Sequence, residues 1–212
     1  MSLTSTLSHE NHWNNRLNEW KLPLYFSKPV LQHIKYFVDG MLSNGFTGTL
    51  TDIHRESLQE RDRRTLSHFL AHGNWNTSYL KRITQRVAFQ QIKACAQRDR
   101  SPIFVILDDT VYEKTKPSSQ ATHMIEGASF QHSHLKGQHV YGHALVQTLL
   151  RFEDQVFPFA TERYDPKGKS KIDLACEMIQ AVPMSMCSTY VLMDAWYPPA
   201  SVLKRVRSVA FM

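Results

Sequence analysis

The stretch PIFVILDDTVYEKT, residues 102–115, contains an unbroken apolar run followed by two adjacent carboxylates. The run from Ile103 to Leu107 predicts a strand buried in the middle of a sheet that is covered on both faces. A carboxylate inside such a core is unfavourable unless it is paired or binds a metal, but at the carboxyl end of the strand it can face a cleft. Asp108 and Asp109 therefore mark one edge of the predicted sheet as a candidate functional site.

A second segment has the same pattern: STYVLMD, residues 188–194, contains apolar residues that are followed by Asp194. If the two strands lie side by side, their terminal acids converge. Converging carboxylates repel each other unless a cation neutralises them, and hard oxygen ligands suit Mg²⁺ or Mn²⁺. Because Asp108 and Asp109 point to opposite faces of a strand, only one of them can converge with Asp194. The alternative interpretation is that these residues are ordinary turn or cap residues.

Charge and composition restrict the class of protein. The 212 residues include 25 Lys and Arg against 19 Asp and Glu, with a pI of about 9.3, which favours phosphate-bearing or acidic partners. The three cysteines show no CxxC spacing, as expected of reduced thiols. The polar start does not resemble a signal peptide, and no apolar run approaches the length of a membrane helix. We therefore expect a cytoplasmic protein that does not associate with membranes.

The periodicity changes near residue 100 and divides the chain into three predicted regions. Residues 1–27 are polar and predict an arm, residues 28–100 show helical spacing and predict a helical, DNA-binding domain, and residues 101–212 alternate between strands and helices. One helix is predicted to begin after Asp62 and end at Gly73, and the next is predicted to open on Asn76 or Thr77. In the third region we predict strands at 102–109, 138–151, 155–163 and 188–194, and helices at 170–181 and after Tyr197.

Three segments together resemble the catalytic domain of bacterial insertion-sequence transposases of the DDE class: DDTVYEKT, EGASFQHSHLKGQHVYGHALVQTLL and YVLMDAWYPPASVL. In that family an Asp followed by Thr ends the first strand, and a second Asp ends the fourth strand. The matching residues are Asp109, with Thr110 after it, and Asp194. A loop with Gly and Lys precedes the family's second strand, and its matches here are Gly127, Lys136 and Gly137.

The resemblance covers roughly residues 28–212 and implies a fold and a function. The expected fold class is α/β, with an N-terminal helical domain followed by an incomplete ribonuclease-H-like mixed sheet flanked by helices. The expected reaction is metal-dependent cleavage and strand transfer of double-stranded DNA at transposon ends by a homo-oligomer. Asp109 and Asp194 would be the catalytic residues and the ligands of Mg²⁺ or Mn²⁺, typically as a two-metal site.

One feature departs from the family, which requires a third acid, a Glu from a later helix. No Asp or Glu follows Asp194 in this sequence. We therefore expect a truncated transposase that cleaves DNA poorly as this chain. The alternatives are a non-catalytic DNA-binding remnant or regulator of transposition, and a related ribonuclease-H-like nuclease.

Basic residues give candidate DNA contacts in two regions. Lys114, Lys116 and Lys136 lie next to the predicted strands, and Lys81 and Arg82 lie in a segment that could form a helix-turn-helix. Solvated surface charges, and a helical subdomain that only supports the sheet, are the alternatives. Further basic residues of the third region could also neutralise phosphates: Arg163, Lys167, Lys169 and Lys171. A histidine run could bind zinc, although DNA-backbone contact or packing fits its spacing better: His132, His134, His139 and His143.

Overall fold

A computed structural model describes residues 3–42, 47–56, 62–122, 124–133, 135–183 and 187–195, together with residues 197, 200, 202 and 204. The chain forms two compact units, Met1–Ile83 and Thr84–Met212. Six α-helices are described: α1 Leu3–Glu19, α2 Lys28–Leu42, α3 Leu50–Glu56, α4 Arg63–His72, α5 Thr77–Asp99 and α6 Lys171–Ala181. Five strands are described: β1 Ile103–Glu113, β2 Ser129–Ser133, β3 Gln138–Phe152, β4 Gln155–Arg163 and β5 Thr189–Met193.

The first unit is helical, as the spacing of residues 28–100 predicts, and its caps lie where the sequence places them. The Asp62 side chain accepts a hydrogen bond from the amide of Arg64 at the start of α4. The Asn76 side chain accepts one from the amide of Tyr79 at the start of α5. Each bond satisfies an amide that has no partner within its own helix.

Asp52 organises the start of α3. Its carboxylate accepts hydrogen bonds from the hydroxyls and amides of Thr47 and Thr49, and its own amide donates to the Thr49 hydroxyl. These hydroxyl donors, first Thr47 and then Thr49, lower the pKa of Asp52 to about 2. The ionised carboxylate is therefore part of the folded state of this helix.

The region predicted as a polar arm contains α1 and the 3-10 helix Leu22–Leu24. Leu17, Leu22 and Phe26 are buried, and the Tyr79 hydroxyl donates to the carbonyl of Trp20 at 3.1 Å. A few anchoring side chains hold this segment, which explains why its sequence shows no sustained period.

Helix α5 crosses the boundary between the two units. Its larger part, from Thr84 onward, belongs to the second unit, where Phe89, Ile92 and Ala96 share a core with Ile103 and Val105 of β1. The change of period near residue 100 therefore marks the change from helix to strand, whereas the compact units divide at Ile83 and Thr84.

The second unit is built on a mixed sheet, which confirms the predicted α/β class with helices before the sheet and against it. The strand order is β2-β3-β1-β5, and β4 also pairs with β3. β1 is antiparallel to β3 and parallel to β5. The architecture agrees with the ribonuclease-H-like fold that the resemblance implies. The sequence did not predict β2, because SFQHS is short and largely polar.

One face of the sheet forms the core. Burial alternates along β1, with Ile103, Val105 and Leu107 buried, and these residues pack with Ala175 and Ile179 of α6. The opposite face is more open, since Tyr190 and Leu192 of β5 are about half exposed. The helix predicted after Tyr197 falls mostly on residues outside the described ranges. No helix within the described ranges is long and apolar enough to cross a membrane.

Candidate active site

β1 and β5 lie side by side as predicted, and β5 ends opposite Leu107, but β1 does not end at its acids as expected: it continues past Asp108 and Asp109 to Glu113, paired with β3. The parallel register ends with Leu107 opposite Met193. In each of the two segments the next residue is an acid: Asp108 follows Leu107, and Asp194 follows Met193. Sheet pairing between segments far apart in the sequence therefore brings the candidate acids into one neighbourhood.

Asp109 lies on the core side of β1 and forms an ion pair. Its side chain is only 8% exposed, and the Lys171 ammonium lies 2.5 Å from its Oδ2. The same ammonium lies 5.6 Å from the centre of the Tyr164 ring. An ionised carboxylate that is nearly buried needs such a partner.

The start of α6 holds Lys171 in this position. Ser170 caps the helix by accepting a hydrogen bond from the amide of Asp173, and the Asp173 carboxylate accepts one from the amide of Ser170. This capping box fixes where the helix begins. Lys171 is the first residue of the helix, so the capping box also fixes the point from which its side chain extends to Asp109.

Tyr197 connects the acids of the two strands. It is fully buried, its amide donates to the Asp194 carbonyl at 3.0 Å, and its hydroxyl lies against the Asp109 carboxylate. Burial, followed by the negative charges of Asp109, Asp108 and Asp194, raises the pKa of the Tyr197 hydroxyl far above its ordinary value. The hydroxyl therefore stays protonated and can donate a hydrogen bond to a carboxylate.

Asp108 and Asp194 differ from Asp109 because both are exposed. One oxygen of Asp108 accepts a hydrogen bond from the next amide at 2.8 Å, and Asp194 accepts one from the amide of Ala195 at 2.5 Å. Alternation along β1 places Asp108 on the sheet face opposite that of Asp109. The edge thus combines two open carboxylates with one that is nearly buried and paired.

Gly127, which matches the family's loop, has a clear structural role. Its φ is +68°, and a Cβ atom there would lie 2.4 Å from the Arg163 guanidinium. Arg163 and His143 both hydrogen-bond to the carbonyl of Glu126, at 3.2 and 2.9 Å. A side chain at position 127 would disturb this arrangement, which explains why glycine stands there.

The predicted DNA contacts occupy two surfaces, one in each unit. Lys114 and Lys116 lie over aromatic rings in the second unit, and Lys136 forms an ion pair with Glu113. Lys81 and Arg82 are exposed on α5 in the first unit. These positions remain predicted DNA contacts.

The donor chemistry at the sheet edge fits a divalent cation. Three carboxylates supply hard oxygens of the kind that Mg²⁺ and Mn²⁺ prefer, and a lysine ammonium already compensates the charge of Asp109. Within the described ranges, however, no group of three or more His, Cys, Asp or Glu side chains is placed so that it could hold a metal ion. A cation at this edge would therefore need ligands besides these carboxylates, such as substrate phosphates.

Sequence reasoning missed the partners of these acids. Lys171 was expected only to neutralise phosphates, and Tyr197 had no assigned role. The cap signal at Ser170 and Asp173 indicates that a helix begins beside Lys171, but it does not reveal which strand end this helix approaches. Only the folded chain joins Lys171 to an acid 62 residues away.

Comparison with known proteins identifies the family. Residues 27–210, which include most of the helical region and the acidic edge formed by Asp108, Asp109 and Asp194, match the family described as DDE superfamily endonuclease. No curated protein and no solved structure gave a significant match. Since the matched residues make up most of the chain and contain the converging acids of β1 and β5, the chain belongs to the DDE superfamily of endonucleases.

Proposed function

We propose that this protein is a transposase of the DDE class that cleaves DNA and transfers strands at insertion-sequence ends with the help of a divalent metal. The observation that carries the proposal is the parallel register of β1 and β5, which brings Asp194 beside the acids of β1. Family membership supports a DNA substrate. The finer assignment to insertion-sequence ends follows from the resemblance of the strand-end segments.

Asp109 and Asp194 are the proposed metal ligands and catalytic residues. The cofactor is Mg²⁺ or Mn²⁺, which when bound would stabilise the charge that develops on the scissile phosphate and favour ionisation of an attacking hydroxyl. Within the chain, the Lys171 ammonium forms an ion pair that orients the Asp109 carboxylate, and the protonated Tyr197 hydroxyl lies near the same carboxylate. Asp108 is the competing ligand on the other face of β1.

The proposed DNA contacts divide into two sets with the same physical role. Lys114, Lys116 and Lys136 would neutralise phosphates near the sheet, and Lys81 and Arg82 would do so from α5. Such contacts hold the DNA without reading its sequence, and they make binding dependent on salt. Assembly of several copies on DNA belongs to the same proposal.

A second candidate function is that of a DNA-binding regulator without catalysis. The observation that favours it is the Lys171–Asp109 ion pair, because a nearly buried carboxylate with an ammonium at 2.5 Å is also a stable structural pair. In that case Asp109 would contribute to the fold and would not bind metal.

Calorimetric titration with Mn²⁺ in the presence of linear DNA tests the proposal. The proteins compared are the wild type, Asp109→Asn, Asp194→Asn and Asp108→Asn, with Asp154→Asn as a control in the exposed turn between β3 and β4. We expect binding to be lost in the Asp109 and Asp194 variants and retained in the control. Loss of Mn²⁺ binding in Asp108→Asn but not in Asp109→Asn would show that Asp108, on the open face of β1, is the ligand. Absence of binding to the wild type would favour the regulator.

A further inference from the structure

Beyond the acidic edge, β1 continues into a surface that the proposed metal chemistry does not use. We define the aromatic–lysine surface by Tyr112, Phe130, Lys114, Lys116 and Lys136. The two aromatic side chains are more than half exposed, at 58% and 57%. Exposed apolar side chains mark a binding surface when they form a contiguous patch.

The sheet register places both rings on one face. Tyr112 of β1 pairs with His143 of β3, and Phe130 of β2 pairs with Tyr141 of β3. Residues two apart on a strand point to the same side, so the side chains at 112 and 130 project from the same face of the sheet. The Phe130 and Tyr141 rings meet edge to face with their centres 5.6 Å apart. Tyr141 is buried and supports the exposed ring from below.

Lysines accompany each exposed ring. The Lys114 ammonium lies 4.2 Å from the centre of the Tyr112 ring, and the Lys116 ammonium lies 5.3 Å from that of Phe130. Lys136 lies in the adjoining turn between β2 and β3. Aromatic faces beside cations form the combination that binds unpaired nucleotides, because bases stack on the rings while the cations neutralise phosphates.

Two imidazoles extend the surface along the same hairpin. His132 pairs with His139 in the β2–β3 register, and their ring centres lie 5.4 Å apart in a T-shaped arrangement. Both residues are exposed. Of the four histidines in this run, these two thus offer further planar rings for stacking.

The surface lies on the same strand face as the open acid. Asp108, Thr110 and Tyr112 alternate outward along β1. At a rise of about 3.3 Å per residue, Tyr112 lies about 13 Å along the strand from Asp108. A nucleotide chain held on the rings would therefore run toward the acidic edge.

We infer that the aromatic–lysine surface binds single-stranded DNA, holding unpaired bases that lead to the acidic edge. Duplex DNA fits this surface poorly, because its bases are stacked on each other and hide their faces. This inference deepens the proposed function by naming the form of DNA that the sheet holds. Because stacking needs no metal, the binding should persist in EDTA.

Fluorescence anisotropy in EDTA with short oligo(dT), and with its duplex with oligo(dA), tests the inference. The variants are Tyr112→Leu and Phe130→Leu, which keep an apolar side chain and remove the aromatic face. Tyr190→Leu is the matched control, an exposed tyrosine at the other end of the sheet. We expect the wild type to prefer the single strand, with about a tenfold loss of affinity in each of the first two variants. The control should bind like the wild type.

A salt titration separates the role of the lysines from that of the rings. The double variant Lys114→Gln/Lys116→Gln should lower the slope of log affinity against log salt by about 1.4, since each phosphate contact on a single strand contributes about 0.7. Equal affinity for single-stranded and duplex DNA, or unchanged affinity in Tyr112→Leu and Phe130→Leu, would overturn the inference. Near-ultraviolet circular dichroism confirms that the variants are folded.

The two proposals fail in different ways. Mn²⁺ binding without any preference for single strands would reject the aromatic–lysine surface and leave the metal site intact. Preference for single strands without Mn²⁺ binding to the wild type would reject the metal site and leave this surface as a DNA-binding face.

Discussion

Replacing Lys171 with methionine would leave the Asp109 carboxylate without the ammonium that lies 2.5 Å from it. At an effective dielectric constant of about 20, two unit charges at this distance attract by about 6–7 kcal/mol. The cost of removing both groups from water offsets much of this attraction. Breaking a fully buried pair costs about 3–5 kcal/mol, whereas an exposed pair contributes about 0–1 kcal/mol.

The exposure of the two side chains places this pair toward the buried end of that range. Asp109 retains 8% of its exposure and Lys171 retains 21%. We therefore expect Lys171→Met to lower the free energy of unfolding by about 2–3 kcal/mol, less than a fully buried pair would lose. The measurement is urea unfolding at neutral pH, followed by circular dichroism, with the midpoint and slope fitted together.

Lys169→Met is the matched control, because Lys169 lies two residues before Lys171 and also pairs with an acid, Glu177, but both side chains of that pair are more than half exposed. Its expected loss is below about 1 kcal/mol. Lys171→Arg retains the positive charge and should lose less stability than Lys171→Met. Equal losses in Lys171→Met and Lys169→Met, or in Lys171→Met and Lys171→Arg, would refute the assignment of the ion pair as the source of stability.

Three further predictions follow from individual contacts. Lys171→Met should bind Mn²⁺ several-fold more tightly than the wild type in calorimetry, because a competing cation has been removed from the carboxylate; unchanged or weaker binding would contradict this. Gly142→Ala should lower the free energy of unfolding by about 1–3 kcal/mol in urea, since its Cβ would lie 2.3 Å from a carbonyl oxygen of β1, while Gly168→Ala, with no atom nearer than 3.5 Å, should be neutral. The stability advantage of the wild type over Asp52→Asn should be complete above about pH 4 and disappear as the pH falls through about 2, because folding lowers the pKa of Asp52 to about 2. Urea unfolding across this range measures the advantage, and a constant difference would exclude the ionised carboxylate as its source.

Local sequence signals predicted much of the helical unit and the strands. Asp62 and Asn76 satisfy amides two or three residues away, so their role depends on only one turn of chain. The apolar run of β1 predicted a strand covered on both faces, which is correct for one face only: Ile103, Val105 and Leu107 are buried, whereas Phe104 and Ile106 on the other face are partly exposed. The short polar strand β2 escaped prediction because its pairing with β3 depends on the partner strand.

The acidic edge shows the same division between features that local sequence predicts and features that depend on distant parts of the chain. The sequence alone determined that acids follow the apolar runs of two strands, that the chain is basic, and that helices precede the sheet. The tertiary structure decided that β1 and β5 are neighbours, that Asp109 faces Lys171 and Tyr197, and that Asp108 faces the open side. Periodicity and capping act over a few residues, whereas these contacts join positions as much as 62 residues apart in the chain. They depend on sheet register and helix packing, which no single segment of sequence encodes.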